Sequence, residues 1–401
     1  GGSDRDRPQN PYKRLTRMII DSRNRKGIRA RSTSVIAAIC LCSGCNLLNL
    51  NVLQTIPIEE KISFRAEAVQ FLRESAFSSD PIVTMQTLEA LQEVAPHENP
   101  TYMVENLYTG HTGVTFAALM ALGTLERTEF LEEYRIKAED ADPNVRIAAI
   151  YAMHRCGDKS RTGELPTFLL QNKKARVRAN AALAIGRLGV PSAVKLLRRA
   201  MRNEKKTIVR NNIHEALLIH GDPQIERTII QRGHSSLPLQ AAEALMMLAN
   251  ARCQGADDVF RNRLIRAEHP EIKLEAARGL GRLGEADHYT LDLSARHLFF
   301  KSPRHDYKED PRDQQIRRVR GLAALALEAI ESPEALAALR AAFTVKDQSE
   351  AVKVAIARAA IRIIDVDLEK RRGEPPGRPP VRPSSISVDE LAGDASIAES
   401  P

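Results

Sequence analysis

One apolar position recurs nine times along the chain, at Ile82, Val114, Val145, Val177, Val209, Leu239, Ile272, Val319 and Val352. The spacings are 32, 31, 32, 32, 30, 33, 47 and 33 residues. Independent segments have no reason to share such a register, so the chain reads as an array of one supersecondary unit and not as a single compact core. The unit is clearest in VRANAALAIGRLGVPSAVKLL, Val177 to Leu197. Val177, Ala181, Ala182, Ile185 and Leu188 fall on one face of a helix. Gly189, twelve residues after the anchor, stands where a helix needs a left-handed terminal residue. Pro191 and a second amphipathic start then open another helix. Gly157, Gly221 and Gly284 repeat the stop, while Gly123, Gly186 and Gly281 lie nine residues after their anchors.

Directly behind the anchor comes Arg146, Arg178, Arg210, Lys273, Arg320 or Lys353. The reading favoured for this series is structural, pairing with acids or helix ends of the next repeat. Abundant alanine lets adjoining helices approach to about 8–10 Å. No single helix pair can bury its apolar face alone, so the copies must stack. Aromatic residues make up only 4% of the chain, without Trp, which argues against a β-sandwich. The expected fold is therefore all-α, a solenoid (superhelix) of about nine stacked helical hairpins over residues 59–365. A leader over 1–45 and a linker over 46–58 precede it, and a proline-rich tail over 366–401 follows, expected to be disordered. The first and last copies are expected to depart from the pattern because each turns one side to water.

The segments DPNVRIAAIYAMHRCGD, ARVRANAALAIGRLGVP, TIVRNNIHEALLIHGDP and PEIKLEAARGLGRLGEA carry the repeat most clearly. They resemble HEAT repeats, in the short bacterial variety named after phycobilisome lyases, and the resemblance spans about residues 60–364. It implies an α-solenoid. Two enzyme families share the repeat. Deoxyhypusine hydroxylases place His-Glu pairs on successive repeats to hold two irons. Here His214-Glu215 stands inside a second helix, but the equivalent positions are Ile150-Tyr151, Ala182-Leu183 and Ala244-Leu245, and His97-Glu98 lies in a loop. Phycobilin lyases cradle a tetrapyrrole on a concave surface, and nothing beyond the shared repeat points to that here. No Ser/His/Asp set, glycine-rich phosphate loop or paired-cysteine metal motif is present. The expectation is a non-catalytic scaffold for protein partners, with no cofactor.

Charge is distributed unevenly. Residues 1–45 hold ten Arg and Lys against three Asp, residues 46–142 hold 16 acids and 6 bases, and residues 171–232 hold 14 bases and 4 acids. An array displays the last two as oppositely charged regions along its axis. The leader ends RSTSVIAAICLCSGCN, with a basic flank, a nine-residue apolar stretch too short to span a bilayer, and small residues before Cys45. It resembles a bacterial lipoprotein signal, which implies Cys45 as the lipidated residue, Met18 as the start and a membrane-anchored protein of the cell envelope. Cys42 stands where that family usually has Leu. Export argues against nucleic acid as a ligand.

Two surfaces are candidates for partners. Lys195, Arg198, Arg199 and Arg202 share one side of a helix opposite Val194, Leu197 and Met201, and Lys173, Lys174, Arg176, Lys205 and Lys206 lie nearby. The readings are a solvated face or a patch for an anionic partner. The 47-residue spacing brings extra sequence, HYTLDLSARHLFFKSPRHDYKEDPRDQQ, with an extended loop expected over about 298–313. Phe299, Phe300, His305 and Tyr307 either contact a partner there or, in the plainer reading, Phe299 and Phe300 pack in the core before a charged loop. His288, His297 and His305 lie nine and eight residues apart, so no pair shares a helical turn and no metal site is expected. Cys156 falls on the apolar stripe and reads as a buried thiol, too far from Cys253 to bridge.

Overall fold

A computed structural model describes residues 53–98, 100–301 and 310–373. Among these residues the regular structure is helical, eighteen α-helices arranged as nine hairpins. The first helices of the hairpins are α1 (Ile58–Ser75), α3 (Thr101–Glu105), α5 (Leu131–Ala138), α7 (Leu165–Gln171), α9 (Ser192–Asn203), α11 (Pro223–Gly233), α13 (Asp257–Arg266), α15 (His288–His297) and α17 (Leu336–Phe343). The second helices are α2 (Pro81–Val94), α4 (Thr112–Thr124), α6 (Pro143–Arg155), α8 (Ala175–Leu188), α10 (Thr207–Ile219), α12 (Pro238–Asn250), α14 (Pro270–Leu283), α16 (Arg312–Ile330) and α18 (Glu350–Arg372).

Each second helix packs on the second helix before and after it, in chain order, with its own first helix outside. The anchors Val114, Val145, Val177, Val209, Ile272, Val319 and Val352 are all buried. The stops behave as their residue types require. Gly157, Gly189, Gly221 and Gly284 are left-handed, with φ between 71° and 93°. Where the array lacks glycine, Glu126, Arg252 and Glu331 hold positive φ themselves, at a steric cost of about 1–2 kcal/mol each. The glycines nine residues after the anchor have a different task. A Cβ on Gly186 would lie 2.5 Å from the Ala216 Cβ and 2.9 Å from its Cα. Glycine and alanine together therefore set how closely α8 approaches α10.

The basic residue behind the anchor ties the repeat together. Arg146 donates to the carbonyls of Asp140 and Ala141, 2.7 and 3.2 Å away, in the loop that precedes its helix. Arg178 does the same with Asn172 and Lys173 and also pairs with Glu204 of the next hairpin at 2.8 Å. Arg320 donates to the Phe300 carbonyl at 3.0 Å and to Gln348 of the next hairpin at 2.8 Å.

The ends of the array do not face water. The last hairpin returns to the first, and α18 packs against both α1 and α2. The second helices thus form a closed circuit, and the expectation of two solvent-facing terminal copies is corrected. Phe343 of α17 meets Phe64 and Phe71 of α1 edge-on, with ring centroids 5.7 and 5.3 Å apart. Lys61, only 1% exposed, pairs with Asp367 at 2.8 Å, Arg65 forks onto Asp365 at 2.5 and 3.0 Å, and Arg340 pairs with Glu67.

Closure also moves the expected boundaries. The helix continues to Arg372, past the expected tail start at 366, with Val366 buried and Lys61 of α1 supplying Asp367 with a cation. In the expected linker, α1 already begins at Ile58, Leu53 and Ile56 lie against the core, and the Gln54 carbonyl accepts from the Ala337 amide at 3.4 Å. Residues 310–313 of the expected loop are not all loop either, since α16 starts at Arg312. The buried Arg318 fastens that longer helix to Glu271 and Asp310, both at 2.8 Å.

Candidate functional site

Two groups of charged residues stand out, and the packing treats them oppositely. The first lies at the seam. Arg358 of α18 reaches Glu93 of α2 at 2.5 Å and Glu328 of α16 at 2.9 Å, and Arg282 of α14 stands 3.8 Å from Glu328. Burial lifts the Glu93 carboxyl above its ordinary value against the pull of Arg358. Burial alone would lift Glu328 as well, but Arg358 and Arg282 outweigh it and hold that carboxyl low. Burial draws Arg282 down to about 10. This largely buried network links four second helices, with Glu93 its most exposed member.

The second group is the cation face of α9. This helix buries only Ala193 and Leu197, while Val194, Leu196, Ala200 and Met201 are partly covered. Lys195, Arg198, Arg199 and Arg202 are all exposed on its outer side, as the helical spacing predicts. With Pro191 and Val194 they line a shallow open depression. Arg198 departs from the rest. Its guanidinium lies 2.8 Å from the buried carboxylate of Asp222, which also caps α11 through the Gln224 and Ile225 amides. Arg198 therefore belongs to the joint between hairpins and is corrected out of the free patch. Among the described residues, Lys195, Arg199 and Arg202 have no carboxylate within ion-pair reach.

Lys173, Lys174 and Arg176, and likewise Lys205 and Lys206, are exposed where α7 turns into α8 and α9 into α10. These loops adjoin on one rim, so the basic surface wraps from the α9 wall onto that rim. Lys174 and Lys206 occupy N-cap positions with no side-chain cap, whereas Asp80 and Asp142 cap the equivalent ends of α2 and α6. Lysine there adds to the positive end of the helix where aspartate would offset it.

The remaining sequence candidates are distributed as follows. Cys45, His305 and Tyr307 lie outside the described residues. Phe299 and Phe300 are half-buried against the core, with the Phe300 ring stacked on His297, centroids 6.0 Å apart. His214 is buried and 3.5 Å from Arg232, and burial with that charge and Arg210 lowers it to about 4. Glu215 turns away to accept from Asn250 at 3.0 Å, so the pair does not converge. Among the described residues no three His, Cys, Asp or Glu side chains gather as metal ligands would. Cys253 is buried as a free thiol, while Cys156 is only half-buried, and burial lifts its thiol to about 11. No described helix is long and apolar enough to cross a membrane.

Fold and repeat chemistry define an all-α solenoid of stacked helical hairpins, parts of which match HEAT-type repeat models. Two family models match it, HEAT repeats over residues 128–218 and the PBS lyase HEAT-like repeat over residues 319–344. No curated protein matches the chain. Among solved structures, the chain is similar to human deoxyhypusine hydroxylase in complex with glycerol, at 17% identity over 68% of this chain and 98% of that one, with a TM-score of 0.32. It is also similar to Kap121p, at 12% identity over 77% of this chain and 39% of that one, TM-score 0.31. An engineered protein matches at 15% identity over 78% and 97% of the two chains, TM-score 0.26.

Proposed function

We propose that this protein is a non-catalytic protein–protein interaction scaffold, and that an acidic surface of its partner docks on the cation face of α9. The observation that carries the reading is the exposure of Lys195, Arg199 and Arg202 without acid partners. Elsewhere in the array Arg178, Arg318 and Arg358 are spent on joining one repeat to the next. A cluster of unneutralised like charges raises the energy of the isolated fold slightly and favours association with an anionic surface. We further propose that a lipid on Cys45 tethers the scaffold in the bacterial cell envelope, which rests on the leader residues Ser43-Gly44-Cys45 and their basic and apolar flanks.

The test is affinity capture from detergent-solubilised envelopes, comparing the native chain with the variant Lys195→Glu/Arg199→Glu/Arg202→Glu. A salt-sensitive partner retained by the first and lost by the second supports the reading. Identical captured sets would overturn the assignment to α9. Intact mass of the mature protein tests the tether, since an unmodified N-terminus ahead of Cys45 removes it.

A further inference from the structure

The chain runs on beyond Gly373, and its last stretch, PSSISVDELAGDASIAESP from Pro383 to Pro401, carries Asp389, Glu390, Asp394 and Glu399 with no Lys or Arg. We infer that this acidic segment is the resting occupant of the α9 cation face, docking within its own chain and competing with outside partners. The inference rests on α9 being a binding face, as proposed above.

Three features of the molecule carry it. The charges are complementary, three cations without acid partners on one helix wall against four carboxylates uninterrupted by a base. The surface chemistry also agrees. Pro191 and Val194 sit among the cations in the depression, so an occupant needs apolar groups beside its acids. Val388, Leu391 and Ile397 stand beside Asp389, Glu390 and Asp394 in the segment.

Reach is the third. First and second helices alternate in direction along the chain, so α18, a second helix, ends on the side of the circuit where the first helices, α9 among them, begin. Nine second helices about 8–10 Å apart in a circuit give a diameter of roughly 25 Å, which puts α9 roughly 35 Å from the end of α18. Residues 374–387 form a proline-rich spacer ahead of Val388, and fourteen residues at about 3.1 Å each cover up to about 43 Å. A tethered ligand at an effective concentration of about 1 mM occupies its site some tenfold over vacancy even when its Kd in trans is only about 100 µM.

The experiment measures binding of a fluorescent oligoglutamate peptide to the full chain by anisotropy at low salt. Three forms are compared: native, tail-neutralised (Asp389→Asn/Glu390→Gln/Asp394→Asn/Glu399→Gln), and tail-neutralised with Lys195→Glu/Arg199→Glu/Arg202→Glu. The expected result is about tenfold tighter binding by the tail-neutralised chain than by the native one, abolished by the charge reversal on α9. Equal affinity of native and tail-neutralised chains overturns the inference and leaves α9 as a binding face. Failure of the tail-neutralised chain to bind the peptide at all overturns the binding-face reading itself. A difference that vanishes on dilution of the protein places the tail on a neighbouring chain, and the intramolecular assignment is then wrong.

Discussion

The seam and the α9 wall use the same residue types to opposite ends. At the seam Lys61, Arg65 and Arg358 each meet carboxylates from the far end of the sequence, some 265 to 306 residues away. On α9 three cations of similar length meet only solvent. Burial separates Lys61 and Arg358 from the α9 cations, while Arg65 is only half-buried. A charge removed from water must be neutralised or the fold loses several kcal/mol, whereas an exposed charge costs little and remains available to a ligand. In this molecule a paired cation therefore marks architecture, and an unpaired exposed one marks a surface with binding capacity left over. Arg198 shows the rule within a single helix, since one neighbour of the free cations has been taken by Asp222.

Substitutions at the two regions should separate them sharply. Arg358→Met removes the cation shared by the buried Glu328 and the partly exposed Glu93, and a loss of about 3–5 kcal/mol is expected in urea unfolding. Hydrogen exchange should rise first in α1 and α18, and protection unchanged in both would show that the seam does not depend on this pair. The next largest effect lies beneath the basic side. His214 has its folded value lowered to about 4, so as pH falls below about 6.5 the unfolded chain binds a proton that the fold refuses. Stability should then decline by about 3 kcal/mol between pH 6.5 and 4. His214→Phe should reduce that slope, leaving the smaller share of His154, His220 and His297, whose values burial also lowers, as a chemical-denaturation series over pH would read.

A change to the packing alone comes third. Gly186→Ala forces a methyl group onto Ala216, where the α8 and α10 backbones touch, and should cost about 1–3 kcal/mol by thermal or urea unfolding. Smallest of all, Lys195→Ser/Arg199→Ser/Arg202→Ser should leave Tm unchanged while abolishing capture of an acidic partner. A clear drop in Tm would mean that these cations serve the fold, and the contrast with the seam would fail.

Much of this was legible beforehand, because the interactions involved are local. The hairpins, their glycine stops and the basic residue behind each anchor depend on neighbours within about one repeat, and a period near 32 residues exposes them. The α9 wall was legible too, since helical spacing alone puts Lys195, Arg199 and Arg202 on one side. The fate of Arg198 was not legible, because its partner sits on the next hairpin. Nor was Glu331 as a left-handed stop, since its residue type argues against that geometry.

The sequence by itself determined the unit, its number and its handedness at each turn, because apolar periodicity and the special freedom of glycine act over a few residues. Whether nine such units stay open or return on themselves was decided only by tertiary structure. Curvature accumulates from small helix-to-helix rotations that no local pattern records. The side chains that close the circuit, Lys61 with Asp367 and Phe343 with Phe64 and Phe71, gain meaning only when opposite ends of the chain are brought together.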